Sequence, residues 1–137
     1  VRQWRIAGLD KEITMTLDTS NTNVAYLLGR LFATLEKAQK DAVPGANTTI
    51  KDRFFGSASA TPRSVFPLLI CRAQHHIQKA EYGRFTDKII EKIMAGISDF
   101  PAHLALEDQG LFAIGYYHQR PELYRKADDK NTEHKED

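Results

Sequence analysis

Apolar residues along this chain recur mainly at helical spacing. Val24, Leu27, Leu28, Leu31, Leu35 and Ala38 form a first stripe, with Arg30, Glu36, Lys37 and Lys40 mostly off it. Asp18-Thr-Ser-Asn-Thr-Asn23 supplies a turn and an N-cap ahead of it. This helix should end near Ala42, because the residue before Pro44 is pushed away from helical angles. Upstream the pattern changes. Ile13, Met15 and Leu17 alternate with Thr14, Thr16 and Asp18, the mark of a short strand or an extended lead-in over residues 1–22.

Asn47-Thr48-Thr49 can cap a short second helix holding Ile50, Phe54 and Phe55, which Gly56-Ser-Ala-Ser-Ala60 should break. Thr61-Pro62 reads as the next start, a hydroxyl cap followed by proline where a missing N–H costs nothing. Val65, Leu69, Ala73, Ile77 and Ala80 carry that third helix to about Tyr82, with a kink or restart at Pro67 and a stop at Gly83. Phe85, Ile89, Ile90, Ile93, Met94 and Ile97 make a fourth stripe, ended by Ser98-Asp-Phe-Pro101. A fifth helix begins around Leu106, with Glu107 and Asp108 at the positive end of its dipole, and Pro121 should interrupt it. Gly110 and Gly115 cost that helix about 1 kcal/mol each against alanine, which points to close helix approach there. The sum is an all-α bundle of about five helices with short connections over residues 23–125. Residues 126–137 are almost wholly polar and read as a disordered acidic tail.

At 137 residues the chain fits one domain with one real core. It has no apolar run long enough to span a membrane and no secretory signal pattern. Its single cysteine, Cys71, cannot make an internal disulfide and reads as a buried, inert thiol. These features suit a reduced, soluble, cytoplasmic protein. The formal net charge of +1 hides a division: residues 20–120 carry twelve basic and nine acidic groups, residues 121–137 four and six. A mildly basic body permits a local phosphate-binding face.

Enzymatic patterns are weak. Gly56-Ser-Ala-Ser-Ala-Thr-Pro lacks the Gly-Lys-Ser/Thr ending of a phosphate loop. His75 and His76 point about 100° apart on a helix, so a shared metal needs a third ligand such as Glu81 or His118; no ligand spacing supports one. No metal or cofactor is expected. The stronger signal is basic and aromatic. Arg72, His75, His76 and Lys79 recur at spacings of three and four on the third helix, Arg63 opens it, and Lys51 and Arg53 precede it. Guanidinium and ammonium groups suit phosphate oxygens without sequence preference. Tyr116-Tyr117-His118-Gln119-Arg120 sets planar rings beside an arginine, which suits stacking on unpaired bases. The plainer alternatives are a solvated helix face and tyrosines at the core edge.

Several strings resemble one known family. They are Tyr26-Leu-Leu-Gly-Arg-Leu-Phe32, Ile50-Lys-Asp-Arg-Phe-Phe-Gly56, Ala58-Ser-Ala-Thr-Pro62, Val65-Phe-Pro67, Gln74-His-His76, Leu106-Glu-Asp-Gln-Gly110 and Gly115-Tyr-Tyr-His-Gln-Arg120. In order and spacing, from about Asn23 to Arg120, they resemble the C-terminal region of the large subunit of type I-C CRISPR Cascade complexes. That resemblance implies a helical bundle, also translated separately from inside the large-subunit gene as the small subunit of a prokaryotic complex. A chain opening at Val1 looks like such a product.

The resemblance further implies a non-enzymatic protein in a crRNA-guided complex. It would touch the Cascade backbone subunits, the large subunit and further copies of itself, and steady target DNA and the displaced non-target strand without sequence preference. The residues expected at DNA are Arg53, Arg63, Arg72, His76, Lys79 and Arg120, with Arg30 and Arg53 alternatively paired to a carboxylate such as Asp52 or Glu107. Two other readings stand beside it: an assembly subunit that braces the complex without touching DNA, and a small metal-dependent enzyme using His75, His76 and acids.

Overall fold

In a computed structural model the described residues are 3–5, 12–14, 16–45, 48–79 and 83–136, with side chains over 16–45, 48–79 and 83–125. Two three-residue strands come first. β1 (Gln3–Arg5) pairs antiparallel with β2 (Glu12–Thr14), Trp4 opposite Ile13. The alternating stretch is therefore strand only at its start; Met15 lies outside the described residues, and Leu17 has left the ladder. Everything after is helix and loop, an all-α bundle of five helices among the described residues.

α1 (Val24–Ala42) is the axis of the bundle. Asn23 caps it as the sequence predicts, its side-chain oxygen accepting from the Ala25 N–H at 2.9 Å. From Ala25 to Glu36 every residue except Arg30 is buried, so the single stripe understates how far the helix is enclosed. Helices α3, α4 and α5 surround it, and Glu36, expected off the stripe, is only 2% exposed.

α2 (Ile50–Ala60) starts with a capping box between Thr49 and Asp52 and runs unbroken through Gly56-Ser-Ala-Ser-Ala60, where a break was expected. The reason lies in the environment. Gly56 is exposed and costs only its backbone entropy, Ala58 is fully buried, and the Ser59 hydroxyl donates to the Gly56 carbonyl at 2.9 Å. The helix ends at Thr61, whose N–H and hydroxyl both donate to the Ser57 carbonyl. That hydroxyl therefore closes α2 rather than capping the next helix, as its sequence context suggested.

α3 (Pro62–Lys79) passes Pro67 without a restart. Pro67 and Arg63, whose carbonyl loses its usual partner, are both exposed, so water can stand in for the missing donor. Residues 80–82, the expected end of this helix, lie outside the described residues. Gly83, read from the sequence as the stop of α3, is the first residue of α4 (Gly83–Met94). A Cβ there would sit 2.0 Å from the Ile77 carbonyl oxygen, so glycine is required by the close approach of α4 to the end of α3. Cys71 is exposed, contrary to expectation: it falls on the outer side of α3, while Leu69 and Ala73 face the core.

The loop after α4 laces the bundle together. The Arg63 N–H donates to the Pro101 carbonyl and the Leu104 N–H to that of Ala60, both at 3.0 Å. α5 (Leu106–Glu136) keeps Glu107 and Asp108 in its first turn and continues through Pro121, where an interruption was expected. Buried Gln119 and Leu123 flank that proline, and their packing holds the helix line. The backbone of residues 126–136, the stretch with a tail-like composition, continues as helix; their side chains lie outside the described residues.

The core centres on Phe32 of α1. Its ring meets Phe55, Phe66 and Phe112 edge-on at centroid distances of 5.6, 6.4 and 5.8 Å, and Tyr116 at 5.8 Å. Such packing needs α1 and α5 nearly in backbone contact. Cβ atoms on Gly29 and Gly115 would fall 1.9 Å from the Phe112 oxygen and 2.2 Å from the Tyr26 oxygen. Close approach thus holds at Gly115, whereas Gly110 has nothing within 4 Å.

Candidate nucleic-acid interface

The six basic residues expected at DNA do not form one patch. Arg72, His76 and Lys79 do come together on the C-terminal half of α3, with His75 beside them. The Arg72 guanidinium lies 5.8 Å from the Phe54 ring centre, which ties this face to α2. The pKa of His76 is lowered, first by burial and then by Lys79, His75 and Arg72, so near neutral pH its imidazole stays mostly uncharged. Lys79 also occupies the last turn of α3, where a cation suits the dipole.

Arg63 stands about 13 Å back along the helix axis from Arg72. Its Nε donates to the Phe100 carbonyl at 3.1 Å, and its Nη2 lies 3.4 Å from an Asp99 carboxylate oxygen. It braces the loop between α4 and α5. Arg53 is exposed on α2. Arg30 pairs with neither Asp52 nor Glu107: its Nε donates to the Gln119 side-chain oxygen at 2.8 Å, and Asp52 serves the capping box.

Arg120 belongs to a different surface, the seam of α1, α2 and α5. Its guanidinium lies 5.8 Å from the centre of the Tyr124 ring, one turn along α5. From α1, the Lys37 and Lys40 ammonium groups reach the same ring at 5.0 and 5.6 Å. Lys51 of α2 stands 5.2 Å from the centre of the Tyr117 ring, 5.6 Å from that of Tyr116, and donates to the Tyr117 hydroxyl at 3.1 Å. Three cations therefore gather at the Tyr124 ring and a fourth at the Tyr116–Tyr117 pair, two turns back along α5. Two acids answer them: Asp41 pairs with Lys37, and buried Glu36 accepts from the Tyr116 hydroxyl at 2.5 Å. Burial works against the charge on Arg120, but Tyr116, Glu36 and Tyr124 outweigh it and raise its pKa.

The string Gly115–Arg120 divides by residue. Tyr116 is fully buried and cannot stack on a base, whereas Tyr117 is 43% exposed. His118 Nδ1 lies 2.9 Å from the Tyr26 hydroxyl, which accepts from the Asp18 N–H at 2.9 Å. Spacing does not single out Lys37 and Lys40. The one available signal was their place one turn apart on α1, and only the α1–α5 contact brings Arg120 and Tyr124 to them. Glu81, one candidate third ligand for His75 and His76, lies outside the described residues; among those described, no three His, Cys, Asp or Glu side chains are grouped to hold a metal ion.

A basic-aromatic seam is a generic feature until the lineage of the chain is known. The sequence matches the family described as CRISPR-associated protein (Cas_Csd1) over residues 1–124. This chain belongs to that family. No curated protein matches it. As a Cas_Csd1 member it is a subunit of a CRISPR system. Among the described residues no helix is long and apolar enough to cross a membrane.

Proposed function

We propose that this CRISPR-associated chain is the non-catalytic small subunit of a type I-C crRNA-guided surveillance complex in the prokaryotic cytoplasm. In that role it lies against the backbone subunits, the large subunit and further copies of itself, and steadies target DNA and the displaced strand during R-loop formation. The observation that carries the reading is the seam of Lys37, Lys40, Lys51 and Arg120 around Tyr117 and Tyr124, in a chain of this family. Exchange of a DNA duplex for an RNA–DNA duplex is nearly balanced, so a few backbone contacts can tip it. An unpaired strand needs cations for its phosphates and exposed rings for its bases, without base-specific readout. The α3 group of Arg72, His76 and Lys79 offers a second set of phosphate contacts.

The test is target-duplex affinity of the assembled complex across a salt series, with the native chain and with Lys40→Glu/Lys51→Glu. Loss of two single-strand phosphate contacts should flatten the slope of log K against log salt by about 1.4 and weaken binding. An unchanged slope and affinity would sink the DNA role. It would leave the bracing reading, for which exposed Leu68, Leu106 and Ile114 supply apolar contact surface.

A further inference from the structure

A cleft of about 320 Å3 opens between the lead-in segment, α1, α4 and α5. Leu17, Ile89 and Leu123 form an apolar wall, and Thr19, Arg30, Lys92 and Glu122 supply most of its polar groups. Arg30 is the unusual member. It is half-buried, yet its hydrogen bond, from Nε, goes to the neutral amide of Gln119. Gln119 is itself only 3% exposed, so it clamps the guanidinium in a fixed orientation. Asp18 acts on Arg30 only through space; among the described residues no carboxylate lies within ion-pair distance of it.

Both outer nitrogens, with four N–H donors, therefore have no hydrogen-bond partner among the described residues. A guanidinium drawn partly out of water without an acid partner is costly until an anion meets it. Glu122 does not fill that place, because its carboxylate bonds to Arg125. Lys92, exposed at the rim, adds a second positive charge with no acid partner among the described residues.

We infer that this cleft takes the phosphate of one nucleotide, held by the outer nitrogens of Arg30 and by Lys92, with the sugar and base against Leu17, Ile89 and Leu123. The planar fork of arginine suits a phosphate held at two oxygens. The size agrees: clefts of roughly 300 Å3 and above take small organic ligands, and a lone carboxylate would leave the apolar wall bare. Thr19 adds a hydroxyl for the sugar or a phosphate oxygen. The assignment goes beyond the strand-holding role and does not depend on it.

The full chain is titrated with deoxythymidine monophosphate, with thymidine and with N-acetylglutamate amide, following the Gln119 side-chain amide by NMR. The monophosphate should bind at least tenfold tighter than either comparator. Lys92→Glu should weaken it at least fivefold without lowering the thermal midpoint, and Arg30→Lys, which keeps the charge but loses the fork, should weaken it as well. No binding of the monophosphate overturns the assignment. So does equal binding of thymidine, tighter binding of the glutamate amide, or indifference to Lys92→Glu.

A 5′-phosphorylated oligothymidylate that competes for the same Gln119 signal identifies a strand as the source, and failure to compete identifies a free nucleotide. Lys51→Glu should weaken the oligonucleotide on the seam and leave the monophosphate untouched. Loss of one kind of binding with the other retained thus separates failure of the cleft from failure of the seam.

Discussion

Two glycines in the same helix should respond to alanine with opposite signs. Gly115 and Gly110 both lie in α5, but a Cβ on Gly115 would stand 2.2 Å from the Tyr26 carbonyl oxygen and 3.0 Å from its carbon. An unforced C···O contact lies near 3.3–3.6 Å, so α1 and α5 must part by about 1 Å. A gap of that size forfeits a quarter to a half of the dispersion energy of the atoms along it, here the Phe32, Phe112 and Tyr116 rings. Overpacking of this kind costs about 1–3 kcal/mol, and a clash with backbone belongs at the upper end. Alanine returns about 1 kcal/mol of helix propensity, which leaves a net loss near 2 kcal/mol. For a domain of this size that lowers the thermal midpoint by about 7 °C.

Gly110 has nothing within 4 Å and is exposed. Its alanine variant should keep the propensity gain alone, about 0.5–1 kcal/mol, and melt a few degrees higher. Urea and thermal unfolding of the two variants, followed by circular dichroism, decide the matter. Shifts of the same sign would refute the packing geometry assigned to α1 and α5.

Three further outcomes follow from the same contacts. Tyr116→Phe removes the hydroxyl that bonds buried Glu36 and should cost about 1–3 kcal/mol in urea unfolding, most of it recovered when Glu36→Met is added. Burial and the Glu36 contact push the Tyr116 phenol above its ordinary value, and burial raises Tyr26 as well. The folded state then binds more protons than the unfolded chain above pH of about 10, so stability should fall as pH rises through that range, and fall less steeply in Tyr116→Phe.

His118 shifts the other way. Burial lowers its pKa against a weaker opposing pull from Asp18. Its contribution is present above about pH 6.5 and is lost as pH falls through the lowered folded value. The protection of the Asp18 amide from exchange, measured against its intrinsic rate at each pH, should fall there and keep no such step in His118→Phe. Protection that stays flat down to the carboxylate range would refute the link.

Local order was well legible in the sequence. Asn23, Thr49 and the acids at 107 and 108 mark helix starts through side-chain chemistry that acts within one turn, so no distant contact is needed to read them. The stripes at Leu28, Leu31 and Leu35 and at Ile90, Ile93 and Ile97 likewise mark buried faces through spacing alone. Interruption was not legible. Gly56 carries a local cost of about 1 kcal/mol and Pro67 and Pro121 about 3 kcal/mol each, and packing on the rest of the bundle outweighs each of them.

Charge placement depended most on tertiary structure. Spacing on α3 was enough to gather Arg72, His76 and Lys79, because neighbours one turn apart share a face. It could not show that Arg63 braces Phe100, that Glu36 lies buried against Tyr116, or that Lys37, Lys40 and Lys51 reach rings of α5 beside Arg120. Local rules reach one turn along a helix. The seam and the Arg30 cleft instead depend on where α1 and α5 touch, and glycines at 29 and 115 decide that contact by letting the two backbones nearly meet.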